Sequence, residues 1–215
     1  MYARLVPVLD VEVCLEVIGE SPGRVLLAFS EGDGDGALDK GFVVVGFLQP
    51  AQRPHYGWPI IAGLVLCWVG DLALALRSQR AFLVGLVAFL LGHVAYIVAF
   101  SRVAALTPWV VLGLLVGAGI SVPVLFKLKP HLGSMRIPVM AYTAVITTMV
   151  VAATAVFGTP ELRGGAVLGG AFAFYLSDLF VARERFVVAD FKNRLVGLPL
   201  YYAGQFLLAL SIGGI

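Results

Sequence analysis

The sequence predicts an all-α, polytopic transmembrane helical bundle, and three observations carry that reading. Of the 215 residues, 60% are hydrophobic and only 13% charged, against roughly 45 to 50% apolar in soluble domains. Mean hydropathy is +0.96. The apolar residues also come in long runs of about 20, the length a helix needs to cross the hydrocarbon core, without the alternation of a transmembrane barrel. Six such runs follow residue 57, near 58–76, 81–101, 106–126, 137–157, 164–182 and 195–213. Their short connections make sequential neighbours antiparallel in one membrane domain, 58–215.

Residues 1–57 differ in character. Val11, Val13, Leu15 and Val17 alternate with Glu12, Cys14 and Glu16, a strand pattern, and Arg24 to Ser30 can pair with it across Ser21-Pro22-Gly23 as a small hairpin. The acidic stretch Glu31-Gly-Asp33-Gly-Asp35-Gly36 reads as a flexible turn. A calcium loop would need an oxygen ligand at Ala37 and the turn glycine at Leu38. Gly41 to Leu48 begins an apolar helix that Gln49, Pro50 and Pro54 interrupt, so a short or re-entrant helix is expected. No secretory signal pattern opens the chain.

Within the spans, polar residues are few and placed in register. On the second span Gly85, Phe89, His93, Tyr96 and Phe100 are spaced by four, four, three and four, which is one helix face. On the third, Gly113 and Gly117 have the small-xxx-small spacing of close helix packing, as do Gly165 and Gly169 on the fifth. The fourth opens at Pro138 and places Tyr142 one turn in.

The connections near 77–80, 127–136 and 183–194 hold nine of the 15 Lys and Arg residues: Arg77, Arg80, Lys127, Lys129, Arg136, Arg183, Arg185, Lys192 and Arg194. The positive-inside rule makes that end cytoplasmic and sends the C-terminus out. A net charge of +2 is explained by this bias and gives no case for nucleic-acid binding. Cys14 and Cys67 lie in unlike settings and imply neither a disulfide framework nor a metal cluster.

Two aspartates break the apolar runs in matching contexts: Gly63 to Leu72, with Gly70-Asp71, and Gly170 to Leu179, with Ser177-Asp178. Each carboxylate within a membrane helix costs roughly 2.5 to 3.5 kcal/mol on insertion scales, so a repeated one calls for a compensating role. Asp71 lies six residues before Arg77 and Asp178 five before Arg183, roughly 7 to 9 Å inside the basic boundary at helical rise. Both helices run the same way, so a cavity lined by Asp71, Asp178, His93, Tyr96 and Tyr142 is the economical arrangement. Simpler roles exist for each residue. A lone buried aspartate hydrogen-bonds a neighbouring helix, a buried histidine is commonly structural, and tyrosines pack.

The ordered series Gly70-Asp71-Leu-Ala-Leu, Phe82-Leu-Val-Gly85-Leu-Val-Ala-Phe89-Leu-Leu-Gly-His93-Val-Ala-Tyr96, Arg136-Ile-Pro-Val139-Met-Ala-Tyr142 and Ser177-Asp178-Leu with Arg185-Phe186 resembles the YhhN family, which includes the TMEM86 lysoplasmalogenases. The resemblance covers about 58–215. The family pattern has eight helices and a Lys-Pro at the start of the second; here the nearest candidate is Lys40-Gly41, and 1–39 holds no convincing first helix. The resemblance implies an ether-bond hydrolase that takes a lysophospholipid from the bilayer and cleaves a vinyl-ether bond to a fatty aldehyde and a glycerophospho-ethanolamine or -choline.

On that implication Asp71 and Asp178 are the catalytic pair. A desolvated cavity disfavours two charges side by side, which leaves one carboxyl protonated as the acid and the other as the anionic stabiliser. His93, Tyr96 and Tyr142 are then expected to bind substrate, with Lys40, Arg77 or Arg185 meeting its phosphate at headgroup level. The chemistry needs no cofactor or metal. Three other readings use the same residues: a lipid-binding or transport protein with the acids as proton relay or headgroup contacts, a structural bundle, and a carboxylate-histidine metal site. The oligomeric state is not legible.

Overall fold

The computed structural model describes residues 11–16, 26–31, 38–76, 78–159 and 162–215, with side chains from residue 41 onward. The chain divides into two compact units, Met1–Gly41 and Phe42–Ile215. In the first, strands β1 (Val11–Glu16) and β2 (Leu26–Glu31) pair antiparallel, with Val11 opposite Glu31 and Glu16 opposite Leu26. The turn at 21–23 and the acidic residues 32–36 lie outside the described residues.

Helix α1 (Leu38–Leu48) has 11 residues, about half the length that crosses the hydrocarbon core. The second unit continues with α2 (Pro54–Ala75), α3 (Gln79–Ser101), α4 (Trp109–Leu128), α5 (Arg136–Phe157), α6 (Gly165–Phe186) and α7 (Phe191–Ser211). The first of these starts four residues before the expected position. Pro54 sits in the opening turn, where a missing N–H costs nothing and the fixed φ suits a helix. Helix α3 starts at Ser78, whose Oγ accepts from the Ala81 N–H at 3.0 Å, and α7 starts at Asp190, which accepts from the Lys192 N–H at 3.3 Å.

Among the described residues five helices, α2 to α6, are long and apolar enough to cross a membrane. This is an integral multi-pass membrane protein. The sixth expected span, α7, has the length at 21 residues, but Lys192, Asn193, Arg194, Tyr201, Tyr202 and Gln205 dilute its apolar character. It runs alongside α6 all the same. Gly170 meets Gly204 and Leu208 at one level, and Gly197 meets Phe180 further down.

The helix α6–α7 crossing is set by backbone proximity. A Cβ on Gly204 would stand 2.9 Å from the Gly170 carbonyl oxygen and 3.0 Å from the Phe174 nitrogen, contacts no side-chain adjustment relieves. Of the expected Gly165 and Gly169 pair, an added Cβ at Gly165 meets nothing within 4 Å and one at Gly169 meets the Leu207 side chain of α7 at 3.5 Å. The closest approach falls one residue on, at Gly170, where a Cβ would stand 3.0 Å from the Gly204 carbonyl oxygen. Gly113 and Gly117 do pack, against Thr154 and Thr147 of α5.

Consecutive antiparallel helices put the 76–78, 129–135 and 187–190 connections at one end, which is therefore the basic end. The outer faces are apolar: Val111, Leu114, Leu115 and Phe126 of α4 and Leu195 of α7 are exposed, as suits contact with lipid. Inside, aromatic rings fill the space between helices. Phe42, Tyr96, Phe100, Phe174 and Tyr175 are fully buried or nearly so.

Candidate active site

Asp71 and Asp178 line one cavity of about 650 Å³. The α2–α3 and α6–α7 hairpins and α5 bring them there. Two of the cavity's other wall residues are tyrosines that hold the acids. The Tyr142 hydroxyl of α5 donates to Asp178 Oδ2 at 2.8 Å, and the Tyr201 hydroxyl of α7 donates to Asp71 Oδ2 at 2.6 Å. Each carboxylate thus has one oxygen fixed by a phenol from another helix. A donor aimed at a carboxylate in low dielectric orients it and costs nothing to reorganise during reaction.

The neighbouring glycines make room for this arrangement. The Phe89 ring lies over Gly70, where a Cβ would come within 2.7 Å of it, and Tyr201 sits edge-on to both Phe89 and Phe174, at 6.0 and 5.2 Å between ring centres. These rings pack against the Tyr201 ring on the side of α3 and α6.

The expected cavity-lining set is divided by the structure. Asp71, Asp178, Tyr142 and Arg185 lie on the wall. His93 does not. It is fully buried behind Asp178, with Nε2 3.7 Å from Asp178 Oδ2, its ring edge-on to Tyr142 at 5.3 Å and tilted on Phe174 at 4.5 Å. Tyr96 is also fully buried and off the wall. Its hydroxyl donates to Gln205 Oε1 at 2.7 Å and lies 3.8 Å from Cys67 Sγ. The helix face read from the sequence is real, but its middle packs into the aromatic core and only Phe89 of that stripe reaches the cavity. Lys40 falls in the first turn of α1, and its side chain and all of Arg77 lie outside the described residues.

Tyr201 is the residue the sequence reading missed. Others are Glu184, Asn193 and Arg194, which line the cavity at the basic end. There the Arg185 guanidinium donates to Gln79 Oε1 at 2.5 Å and lies 4.4 Å over the Phe82 ring, so its charge is held in place. Tyr175, the aromatic three residues before Asp178, takes no part in holding the acids. It bonds Ser121 Oγ at 2.6 Å, and Ser121 bonds Thr147 Oγ1 at 2.7 Å, tying α4, α5 and α6 together. Among the described residues no group of three metal-ligating side chains is close enough to share an ion.

The YhhN family profile matches residues 41–212. The chain belongs to the YhhN family. It is 32% identical over 171 residues to human lysoplasmalogenase TMEM86B, covering 78% of this chain and 70% of that protein. It is 34% identical over 155 residues to the mouse TMEM86B protein, covering 72% and 63%, and 27% identical over 200 residues to a lysoplasmalogenase homologue of Dictyostelium discoideum, covering 76% and 65%. No solved structure matches the chain.

Proposed function

We propose that this protein is a lysoplasmalogenase, hydrolysing the vinyl-ether bond of a 1-alkenyl-glycerophospholipid with Asp71 and Asp178 as its catalytic acids and bases. The observation that carries the reading is the pair of carboxylates from separate helices, each bonded to a phenol, on the wall of one cavity. The names of its relatives support the same activity.

In the proposed reaction one aspartic acid gives its proton to the β-carbon of the alkenyl chain. The C=C electron pair forms the new C–H bond, and the α-carbon becomes an oxocarbenium ion facing the other, anionic aspartate. Water adds to that carbon and gives a proton to a carboxylate. The hemiacetal then collapses: its hydroxyl proton passes to the anionic carboxylate, the C–O bond to glycerol breaks, and the other carboxyl returns a proton to the glycerol oxygen. The products are a fatty aldehyde and a glycerophospho-alcohol, with the two carboxyls back in their starting states. Tyr142 and Tyr201 each hold one oxygen of an acid and so fix its direction in the cavity.

The dimensions agree with such a substrate. Arg185 follows Asp178 by seven residues on the same helix face, roughly 10 Å along the axis. Seven bonds separate the vinyl β-carbon from the phosphorus, about 9 Å when extended at ordinary bond lengths. A phosphate at Arg185 therefore puts the alkene at the aspartate level, with the chain in the apolar part of the cavity beside Leu86, Phe89 and Ile146.

The test is fatty-aldehyde release from a lysoplasmalogen in nanodiscs, comparing wild type with Asp71→Asn and Asp178→Asn at matched folded yield. Aldehyde from wild type alone is the expected result. Turnover by both variants refutes the catalytic assignment, and no aldehyde from folded wild type moves the function to lipid binding or transport.

A further inference from the structure

The cavity's basic end holds a carboxylate that the proposed chemistry leaves unused. Glu184 lines the wall next to Arg185 and is 27% exposed. Its Oε2 accepts from the Asp190 backbone N–H at 2.9 Å and from Asn193 Nδ2 at 2.8 Å. Asn193 is itself buried, with its amide also donating to the Val188 carbonyl at 2.8 Å and its Oδ1 accepting from Arg183. Both N–H donors and the carbonyl oxygen of a buried asparagine are thus engaged in fixing this corner, which locks the direction of the Glu184 carboxylate. The second oxygen, Oε1, forms an ion pair with the half-exposed Arg194, Nε at 3.7 Å, and that distance is beyond hydrogen-bond reach.

One fixed cation and one fixed anion therefore stand on adjacent residues at the headgroup level of the cavity. Arg185 is held by Gln79 and the Phe82 ring, and Glu184 by Asn193 and the Asp190 N–H. We infer that Glu184 Oε1 is the acceptor for the headgroup amine, and that it makes the site select a primary ammonium, as in ethanolamine, over the quaternary ammonium of choline. The inference rests on the lysophospholipid reading above. A primary ammonium donates N–H bonds to a carboxylate; three methyl groups cannot, and they hold the charge further away. The face of Phe82, which lines the same cavity, is covered by the Arg185 guanidinium, so it offers no open ring to a quaternary cation.

Glu184→Gln isolates the effect. The glutamine carbonyl keeps the acceptor that Asn193 and the Asp190 N–H use, while the ligand-facing oxygen becomes an NH2 donor without charge. Two readouts are taken on wild type and this variant in nanodiscs. One is competition binding of the vinyl-free 1-alkyl-glycerophospho-ethanolamine and 1-alkyl-glycerophosphocholine; the other is aldehyde release from the two matching lysoplasmalogens. Wild type is expected to favour ethanolamine by about tenfold, the factor set by one charge-assisted hydrogen bond, and the variant to lose that preference while keeping its affinity for choline. Equal affinity of wild type for both headgroups, a preference that survives in the variant, or no binding of either lipid overturns the inference. Headgroup selection without aldehyde release leaves it standing and sinks the hydrolase reading instead.

Discussion

Replacing Tyr201 by phenylalanine removes one hydroxyl and nothing else from the site. That hydroxyl donates to Asp71 Oδ2 at 2.6 Å. The ring is held independently, edge-on to Phe42, Phe89 and Phe174 at 6.2, 6.0 and 5.2 Å between centres, so a phenylalanine stays in place. Tyr201 is 6% exposed, which limits replacement of the lost donor by water. A hydrogen bond to a charged group is worth about 1.5 to 3 kcal/mol, and if Asp71 carries its charge through the transition state this corresponds to a loss of about 10- to 150-fold in kcat/KM. Steady-state aldehyde release by Tyr201→Phe is the assay, with thermal unfolding as the control for folding. In an Asp71→Asn background the same change should add little, because the two residues act as one unit. Full activity of a normally folded Tyr201→Phe protein would show that the phenol does not position the acid.

Tyr142→Phe, which removes the donor to Asp178 Oδ2, should lower kcat to a similar extent, read in the same assay. Tyr175→Phe is the contrasting case: it breaks the bond to Ser121 and should reduce thermal stability by about 1 to 2 kcal/mol with kcat nearly unchanged. Gly204→Ala drives a methyl into the Gly170 carbonyl and should cost about 1 to 3 kcal/mol of stability or abolish folded yield, measured by thermal unfolding in detergent. Arg185→Gln should raise KM several-fold more than it lowers kcat, since the phosphate contact is made in ground and transition states alike; an unchanged KM would remove Arg185 from the headgroup site.

The membrane fold was legible because its signal is long and repeated along the chain, and the aspartates because a carboxylate in an apolar run stands out against the hydrocarbon. Tyr201 was not legible. It is one of seven tyrosines, its partner Asp71 lies 130 residues away, and nothing in Leu200-Tyr201-Tyr202-Ala203 marks which ring faces the cavity. The α3 stripe was read correctly as an inward face, yet spacing cannot tell a cavity wall from an aromatic interior. His93 and Tyr96 went to the interior and Phe89 to the wall. Gly169 and Gly170 make the same point, since one residue of rotation decides which of two adjacent glycines comes against the α7 backbone and which meets only a side chain. At the basic end nothing in the sequence singles out Glu184 or Asn193, and only the fold brings them together across the eight intervening residues into a corner at the cavity mouth.

The central claim, that a carboxylic acid protonates the alkene and water captures the resulting cation, is tested most directly by isotope labelling of wild-type turnover. Hydrolysis in heavy water should place a single deuterium on the aldehyde carbon next to the carbonyl, and hydrolysis in heavy-oxygen water should leave the glycerophospho product unlabelled. An aldehyde without deuterium at that carbon, or heavy oxygen in the glycerol product, would contradict the mechanism.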